Sequence, residues 1–512
     1  MAEEPHEIEL KFRVEAAKAQ AVFEDVAGGA GKTKTLASTY FDTPSGALAK
    51  AGMALRVRRD GEEWVQTLKT AQAAGGAMGR GEWEAKTPGA KPVLALLRDT
   101  PAHKALGRSR KLTPLFTVDV ERRIAVRALD HASIEVALDR GRVVAADRSE
   151  PLLELELELK DGAPAELLAF AARTRKAHGL ALSFATKAGR GLALRAKTGP
   201  RAVKFRPPSV SPGMSAGDGF RAIARAALEQ AVNNAERLAE TPGPEVIHQM
   251  RVGVRRLRSA ISTFKPVVTD RRTAGIVAEL RWLTGELDQA RNLDVLLAGA
   301  YRRAARRKTD ATGLADLGRQ LRLTRTTAYA RARSAAQSER FRALVMDTLV
   351  WIEVGPWGGK RGGGKKASGA KTREMPLAQF AAKALQRRRK KALKGCGDLE
   401  RMTREQRHAL RIDCKKLRYA ADALSPLSDH PRRTARFIDA LRALQDKLGE
   451  LNDIATGERL AQGLTTIPTV AGATDWAAGR LIGGEAAREA ALIAAAADAA
   501  KAFKAAKPFW NE

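Results

Sequence analysis

The first two hundred residues show the two-residue alternation of apolar and polar side chains that is typical of β-strands. The alternation is clearest in EIELKF from Glu7, ALRVRR from Ala54, EWVQTLK from Glu63, SIEVALD from Ser133 and LLELELELK from Leu152. Turn signals such as Asp60-Gly61 separate these segments. The pattern therefore predicts a domain of strands with short helices between them, over residues 7–197.

Beyond Gly219 the period lengthens to that of helices, and alanine, leucine and arginine predominate. The preceding stretch is rich in Pro, Gly and Ser and predicts a linker. A second break, GPWGGKRGGGKKASGAK, begins at Gly355 and predicts a basic loop that divides the helical region. The expected domain bounds are 1–200 for the sheet domain, 201–218 for the linker, 219–512 for the helical domain, and about 219–352 and 375–505 for its two parts.

The two helical parts repeat each other, since HQMRVGVRRLRS and HALRIDCKKLRY align without a gap. Positions i, i+3, i+7 and i+10 of a helix form one stripe. Here they are His248, Arg251, Arg255 and Arg258 in the first copy, and His408, Arg411, Lys415 and Arg418 in the second. A single charged stripe is usually solvated surface, but two matching stripes led by histidine favour a shared task. Packed together about a pseudo-twofold axis, they would form a channel for a phosphate chain.

Composition and charge narrow the functional classes. The 512 residues include 90 Lys+Arg against 58 Asp+Glu, a formal net charge of +32 that lies mainly in the helical part, and this predicts a polyanionic partner. Aromatic residues make up 5% of the chain and do not interleave with the basic stripes, which argues against stacking on single-stranded nucleic acid. We see no apolar run of membrane-spanning length and no signal-peptide pattern, so we expect a cytoplasmic protein without a membrane partner.

Charged residues share one face of several predicted strands, because side chains two positions apart point the same way. Examples are Glu7, Glu9 and Lys11, the pair Arg56 and Arg58, and Glu154, Glu156 and Glu158. In an ordinary sheet this face meets water. Recurrence with both signs favours instead a closed sheet with the charges inside and the leucines outside, under helices. Carboxylates inside would bind Mg²⁺ or Mn²⁺, and the cations would hold phosphates.

The same segments resemble the CYTH domains, the triphosphate tunnel metalloenzymes. The matching motifs are EIELK, YFDT at Tyr40, LRVR, TLK, RGEWE, ERRIAV, ALDRG, ELELELK and TKAGRG. The resemblance implies an α+β domain whose eight antiparallel strands form a tunnel that hydrolyses a terminal phosphate with a divalent metal. One departure is Gly189, where the family commonly has glutamate.

The resemblance also implies roles for particular residues. The implied metal ligands are Glu7, Glu9, Asp139, Glu154 and Glu156. The implied triphosphate ligands are Lys11, Arg56, Arg58, Lys69, Arg123 and Lys187. Arg122 competes with Arg123, because adjacent strand residues cannot both face inward. Lys69 is also the candidate catalytic residue that protonates the leaving group, if neighbouring cations lower its pKa.

The histidine-led stripes resemble a second family, the CHAD domain, which implies an all-α duplicated four-helix-bundle fold that binds inorganic polyphosphate. The matches are HQMRVGVRRLRS, ARNLDVL, HALRIDCKKLRY and LQDKLGELND. The implied polyphosphate ligands are His248, Arg251, Arg255, Arg258, His408, Arg411, Lys415, Lys416 and Arg418. Asp294 and Asp453 are interpreted as residues that orient the arginines.

The combined arrangement resembles bacterial inorganic triphosphatases. The leading hypothesis is therefore a metal-dependent enzyme that splits triphosphate into pyrophosphate and phosphate, with a helical domain that binds polyphosphate. Two alternatives stay open. One is a non-catalytic scaffold that binds polyphosphate. The other is a CYTH enzyme that acts on thiamine triphosphate, or on ATP as an adenylate cyclase. The sequence does not indicate the oligomeric state.

Overall fold

The computed structural model describes residues 6–70, 78–107, 111–196, 201–306, 313–358, 365–465 and 473–510. The chain forms two compact units. The first comprises Met1–Val203 with Ser338–Gly358, and the second Lys204–Gln337 with Gly359–Glu512. The segment Ser338–Gly358, which the sequence places within the helical region, thus belongs to the first unit. The predicted domain bounds stay a prediction.

Among the described residues, ten strands build the first unit. They are β1 (His6–Glu7), β2 (Glu9–Arg13), β3 (Lys32–Asp42), β4 (Met53–Asp60), β5 (Glu63–Thr70), β6 (Arg80–Thr87), β7 (Thr113–Leu129), β8 (Ala132–Ala145), β9 (Arg148–Gly162) and β10 (Ala181–Ser183). Neighbouring strands are antiparallel and follow the order β1-β6-β5-β4-β3-β7-β8-β9-β2-β10.

The sheet closes on itself through its first segment. β1 and β2 are separated by Ile8 alone, yet β1 pairs with β6 and β2 pairs with β9, at opposite ends of the strand order. Residues 6–13 therefore act as one strand that joins the two edges, and together with β3 to β9 they make a ring of eight strands. β10 pairs with residues 11–13 of β2, beyond residues 6 and 7, which pair with β6. The predicted eight-stranded antiparallel tunnel is confirmed.

In the part of the chain that the structure describes, six helices accompany the sheet, and those that pack on it cover its apolar outer side. They are α1 (Ala19–Ala27), α2 (Ala47–Lys50), α3 (Pro101–Leu106), α4 (Pro164–His178), α5 (Lys187–Arg195) and α12 (Glu339–Val354). α4 packs against β9 and α1 against β8. The strand residues Leu155 and Leu157 and the helix residue Leu168 are completely buried. The alternation of β9 thus places its leucines beneath helices and its glutamates inside the ring.

Helix α12 reaches the first unit from a distant part of the sequence. It packs against α4 and β10, and Arg175 of α4 lies 2.5 Å from Glu339 at its start. Trp351 is completely buried, and its carbonyl accepts a hydrogen bond of 2.7 Å from Trp357 Nε1. The tunnel unit therefore includes a helix that begins at residue 339, far along the chain from the strands.

Twelve helices of the described residues build the second unit. They are α6 (Ala216–Glu240), α7 (Pro244–Thr263), α8 (Lys265–Val268), α9 (Thr273–Leu296), α10 (Arg302–Arg306), α11 (Leu314–Gln337), α13 (Lys365–Glu374), α14 (Leu377–Gly395), α15 (Arg404–Leu424), α16 (Pro431–Thr465), α17 (Ala473–Ala486) and α18 (Glu489–Ala505). None of the helices in the described ranges combines the length and the apolar character that a bilayer span requires.

The long helices follow the predicted duplication. α6, α7, α9 and α11 pack one on the next, and α11 returns to α6. α14, α15, α16 and α18 likewise pack one on the next. The two stripe helices correspond to each other in this order. α7 carries the first stripe, α15 carries the second, and the two helices pack against each other. The predicted all-α domain after the tunnel is confirmed.

Candidate functional site

The register of the strands carries charged residues onto the inner face of the ring, because directly opposed residues of a sheet share a face. Glu156 of β9 lies opposite Lys11 of β2, and Glu154 lies opposite Asp139 of β8. Asp139 in turn lies opposite Arg122 of β7. These five side chains are charged and largely or completely shielded from solvent, so they line the interior, which we call the lumen.

The opposite wall of the lumen carries further charged residues. Lys69 of β5 pairs with Glu82 of β6, and Arg80 of β6 pairs with Glu7 of β1. On this wall, the residues that share the inward face are Arg56, Arg58, Lys69, Arg80, Glu82 and Glu84. Cations and carboxylates thus surround one interior space, as the sequence predicts.

Three carboxylates form a compact cluster, which we call the triad: Asp139, Glu154 and Glu156. Each offers one oxygen atom, and these oxygens lie within 4.8 Å of one another. Burial opposes ionisation of Glu156, but Lys11, Lys187 and Arg122 outweigh it and hold its pKa well below the usual range. Three carboxylates with converging oxygens fit a hard divalent cation such as Mg²⁺ or Mn²⁺.

Cations of the lumen hold the triad together. Arg122 donates from Nε to Asp139 Oδ1 and from Nη2 to Asp139 Oδ2, both at 2.7 Å, and it also donates to Glu156. Lys187 contacts all three carboxylates, and Lys11 lies 2.7 Å from Glu156. These contacts offset the mutual repulsion of the three negative charges.

The remaining predicted metal ligands, Glu7 and Glu9, belong to the same ion-pair network. Glu7 accepts hydrogen bonds from Lys69 at 2.7 Å and from Arg80 at 2.6 Å. Glu9 contacts Arg80 and lies 3.3 Å from Lys11, whose ammonium also reaches Glu156. Although burial opposes it, Arg80 and Lys69 lower the pKa of Glu7. The structure therefore brings all five predicted metal ligands into one connected network.

Two arginines of the lumen have hydrogen-bond donors without an acceptor among the described residues. The Nε atoms of Arg56 and Arg58 are buried and form no hydrogen bond within the described part of the chain. Their guanidinium groups lie 3.7 and 3.8 Å from Glu84, too far for strong hydrogen bonds. Buried donors without acceptors are costly, so their arrangement favours an anionic ligand with oxygen acceptors.

Lys69 has the electrostatic setting that its predicted catalytic role requires. Its ammonium lies 3.0 Å from Glu82 and 2.7 Å from Glu7. Burial, Arg80 and Arg56 together lower the pKa of Lys69, against the opposing effect of Glu7. Burial and Glu7 raise the pKa of Glu82 to about 7, although Lys69 opposes the shift. A lysine with a lowered pKa releases its proton more readily.

The structure corrects one assignment, that of Arg123 as a triphosphate ligand. Arg122 pairs with Asp139 and faces the lumen, whereas Arg123 pairs with Leu138, whose side chain belongs to the apolar outer face. Arg123 accordingly lies 3.4 Å from Glu24 of α1, outside the ring. Arg122 takes the inward position because adjacent residues of a strand point to opposite faces.

The predicted site does not include three residues of β6 that face the lumen: Arg80, Glu82 and Glu84. Arg80 bridges Glu7 and Glu9, and Glu84 accepts a hydrogen bond of 2.8 Å from Thr67. The signal in the sequence was their spacing of two in RGEWE, which sets all three on one face of a strand.

In the second unit, cations of both stripes converge between α7 and α15. Arg255 of the first stripe donates to Tyr419 of α15 at 3.3 Å. Burial and the nearby charges of Arg255, Arg411 and Arg251 lower the pKa of Lys415 to about 6. We call Arg251, Arg255, Arg411 and Lys415 the basic cluster. The Nε atoms of Arg251 and Arg411 are buried and form no hydrogen bond within the described residues.

The other predicted polyphosphate ligands surround this cluster. His248 is partly buried, and burial and Arg291 lower its pKa to about 4. His408 is exposed, and its Nδ1 lies 2.9 Å from Asn452 Oδ1. Burial and Arg281 lower the pKa of Arg258, Lys416 is partly buried on α15, and Arg418 donates to Gln445 at 2.7 Å.

Of the two aspartates interpreted as orienting the arginines, Asp294 contacts an arginine that is not in the stripes. Asp294 accepts hydrogen bonds from Arg325 at 2.6 Å and Tyr329 at 2.7 Å, so it orients an arginine outside the stripes. Arg251 is instead paired with Asp288, at 2.5 Å. Asp453 lies in the field of Arg411, Arg291 and Lys415, although burial dominates and raises its pKa.

Comparisons with known proteins match both units. The family model described as CYTH domain matches residues 5–192, and the model described as CHAD domain matches residues 222–462. An inorganic triphosphatase from Haemophilus influenzae is 34% identical over 168 residues, which are 32% of this chain and 46% of that protein. The chain thus spans about half the length of this relative.

Solved structures resemble part of this chain. The CHAD domain from the plant Ricinus communis is 28% identical with a TM-score of 0.51, and the match covers 60% of this chain and 98% of that structure. PptA from Streptomyces chartreusis is 23% identical with a TM-score of 0.41, and the match covers 58% of this chain and 100% of that structure.

Proposed function

Because the chain carries a CYTH domain followed by a CHAD domain, we propose that it is an inorganic triphosphatase that depends on Mg²⁺ or Mn²⁺. It hydrolyses triphosphate to pyrophosphate and phosphate in the lumen. The supporting observation is the combination of a buried carboxylate triad with buried Nε donors of Arg56 and Arg58 that have no acceptor among the described residues. A related inorganic triphosphatase shares 34% identity over the matched residues.

Different residues of the lumen bind the metal, bind the phosphate chain and deliver the proton. Asp139, Glu154 and Glu156 would hold the metal, with Glu7 and Glu9 adjoining, and a bound divalent ion neutralises phosphate oxygens and lowers the pKa of water. The other residues act on the phosphate chain. Arg56, Arg58 and Arg122 bind its oxygens and stabilise the charge that spreads over them during phosphoryl transfer. Lys69 delivers a proton to the leaving phosphate oxygen.

One lumen feature favours inorganic triphosphate over a nucleoside triphosphate. Tyr40 of β3 lies opposite Arg56 of β4 in the sheet, so its side chain is on the lumen face. Its ring is stacked on Phe116, with centroids 4.6 Å apart, and it is only 7% exposed. This tyrosine is therefore committed to packing and offers no free face to a base.

The experiment that tests the proposed activity is phosphate release from triphosphate, pyrophosphate, ATP, thiamine triphosphate and long polyphosphate, each with Mg²⁺, Mn²⁺ or EDTA. We expect release from triphosphate that EDTA abolishes. Release from ATP or thiamine triphosphate at an equal rate would contradict the choice of substrate. No release from any substrate would favour the non-catalytic scaffold.

We further propose that the CHAD domain binds inorganic polyphosphate through the basic cluster and the stripe residues around it. Four cations converge there, while the acidic residues near them, Asp288 and Asp453, are fewer. Partly buried positive charge that acidic neighbours offset only in part is stabilised by a polyanion. Polyphosphate binding would hold the enzyme near its substrate, or supply the tunnel.

Polyphosphate binding is expected to strengthen as the pH falls from 8 to 6. The pKa of Lys415 is about 6 in the free protein, lowered by burial and neighbouring arginines. A bound polyanion stabilises the ammonium and raises this pKa, so binding takes up a proton in the interval between the two values. The gain in affinity is complete below the free pKa and is lost as the pH rises through the bound pKa.

Calorimetry in two buffers that differ in ionisation enthalpy measures this proton uptake directly at pH 7. Lys415→Gln should lower the uptake, because the pKa values of about 4 for His248 and about 10 for Arg251 lie further from pH 7. Equal uptake by the wild type and the variant would show that Lys415 is not the group that titrates.

A further inference from the structure

One lysine stands at the centre of the carboxylate triad. The ammonium of Lys187 lies 2.7 Å from Asp139 Oδ2 and 2.7 Å from Glu156 Oε1, and it also contacts Glu154. Other cations reach only part of the triad. Lys11 contacts Glu154 and Glu156, and Arg122 contacts Asp139 and Glu156. Within the described residues, Lys187 is the cation that touches all three carboxylates.

The ammonium and a divalent ion would use the same oxygen atoms. The triad oxygens converge within 4.8 Å, as is needed for one ion to touch all three. Asp139 Oδ2, Glu156 Oε1 and Glu154 Oε1 are the oxygens that Lys187 already contacts. Two cations at that point would repel each other strongly in a buried, poorly screened site. Occupation by Lys187 and firm binding of a metal therefore exclude each other.

The backbone of Lys187 is held in place, so its ammonium can leave the triad only if the side chain turns. Thr186 caps α5 by accepting a hydrogen bond of 3.0 Å from the Gly189 amide. Gly191 packs so closely on Phe116 that an added Cβ would lie 2.2 Å from the ring. The start of α5 is thus fixed against the sheet. Release of the triad requires only rotation of the four-carbon side chain of Lys187.

We propose that Lys187 is the resident counter-ion of the triad, and that a divalent metal binds the triad firmly only after the ammonium has turned away to a phosphate of the incoming substrate. The inference rests on the proposed triphosphatase function and adds an order to its binding steps. Triphosphate gives the ammonium a new partner, and the metal then takes the vacated oxygens. Substrate and metal therefore increase each other's affinity.

The test is Mn²⁺ binding in the absence of any phosphate compound, measured by the electron paramagnetic resonance signal of free Mn²⁺. Lys187→Met should bind Mn²⁺ about tenfold more tightly than the wild type, or tighter still, because the competing charge is gone. Lys187→Arg keeps the charge and should stay close to the wild type. Without metal, the methionine variant should melt at a lower temperature, since three carboxylates lose a counter-charge. Mn²⁺ should raise its melting temperature more than that of the wild type.

Arg190→Met is the matched control, because it also removes one cation from α5. Arg190 donates to Glu150 at 2.9 Å and to the Pro151 carbonyl at 2.7 Å, away from the triad. Its Mn²⁺ affinity should equal that of the wild type. If Lys187→Met misfolds, Lys187→Gln serves in its place.

The outcomes separate this inference from the proposed function. Equal Mn²⁺ affinity in the wild type and Lys187→Met would overturn the counter-ion role and leave the triphosphatase standing. Absence of Mn²⁺ binding to either protein, together with no phosphate release, would overturn both.

Discussion

Replacing Glu156 by glutamine is expected to lower the rate of phosphate release from triphosphate about a thousandfold, the scale of the several kcal/mol that a metal ion contributes to such a reaction. Glu156 sits where the triad, Lys11, Lys187 and Arg122 meet. The amide of glutamine keeps the size of the carboxylate but loses its charge, so it holds a divalent cation poorly. The measurement is the initial rate with saturating Mg²⁺ or Mn²⁺.

The matched control is Glu150→Gln, an identical change on the same strand. Glu150 lies outside the triad, pairs with Arg190 at 2.9 Å and is partly exposed, so its replacement should change the rate by no more than about twofold. Polyphosphate binding should be the same in both variants and in the wild type. A Glu156→Gln protein that melts normally and keeps its activity would show that the triad is not the metal site.

The alternation of apolar and charged residues was sufficient to predict the lumen. LLELELELK places its leucines under helices and its glutamates inside because a strand has a period of two, and this holds whatever strand it pairs with. The choice between Arg122 and Arg123 also required the register of β7 against β8. A shift of one residue in register would exchange their faces, and only the observed pairing of Arg122 with Asp139 fixes it.

The helical region shows a second limit of the sequence. Helical period and capping predict that α12 is a helix, and they say nothing about which domain buries it. An apolar residue such as Trp351 would be buried whether α12 packed on the helical domain or on the tunnel unit. In the structure, α12 packs against α4 and β10 of the tunnel unit. Likewise, the repeat correctly relates the two stripes, whereas the acidic partner of Arg251 is Asp288 and could not be picked from several nearby aspartates.

Neutralising one cation from each stripe is the second change with a large expected effect. In a protein with Arg255→Gln and Lys415→Gln, the affinity for long polyphosphate should fall about a hundredfold or more, because each buried cation loses charge-assisted hydrogen bonds to phosphate. The slope of log affinity against log salt concentration should become shallower by about 1.4, since two phosphate contacts fewer release counterions. Both quantities come from a binding titration at several salt concentrations.

A control with the same loss of charge distinguishes the basic cluster from the net charge of the chain. Arg319 and Lys501 are well exposed, with 71% and 77% of their side chains accessible, and each pairs with an acidic residue on its own helix. Arg319→Gln with Lys501→Gln should therefore leave polyphosphate affinity within about threefold, because exposed ion pairs contribute little. Hydrolysis of triphosphate should be unchanged in both double variants.

If the two variants lost affinity equally, polyphosphate would be held by the general positive field of the protein. If the cluster variant lost hydrolysis as well, the division into two separate sites would be wrong.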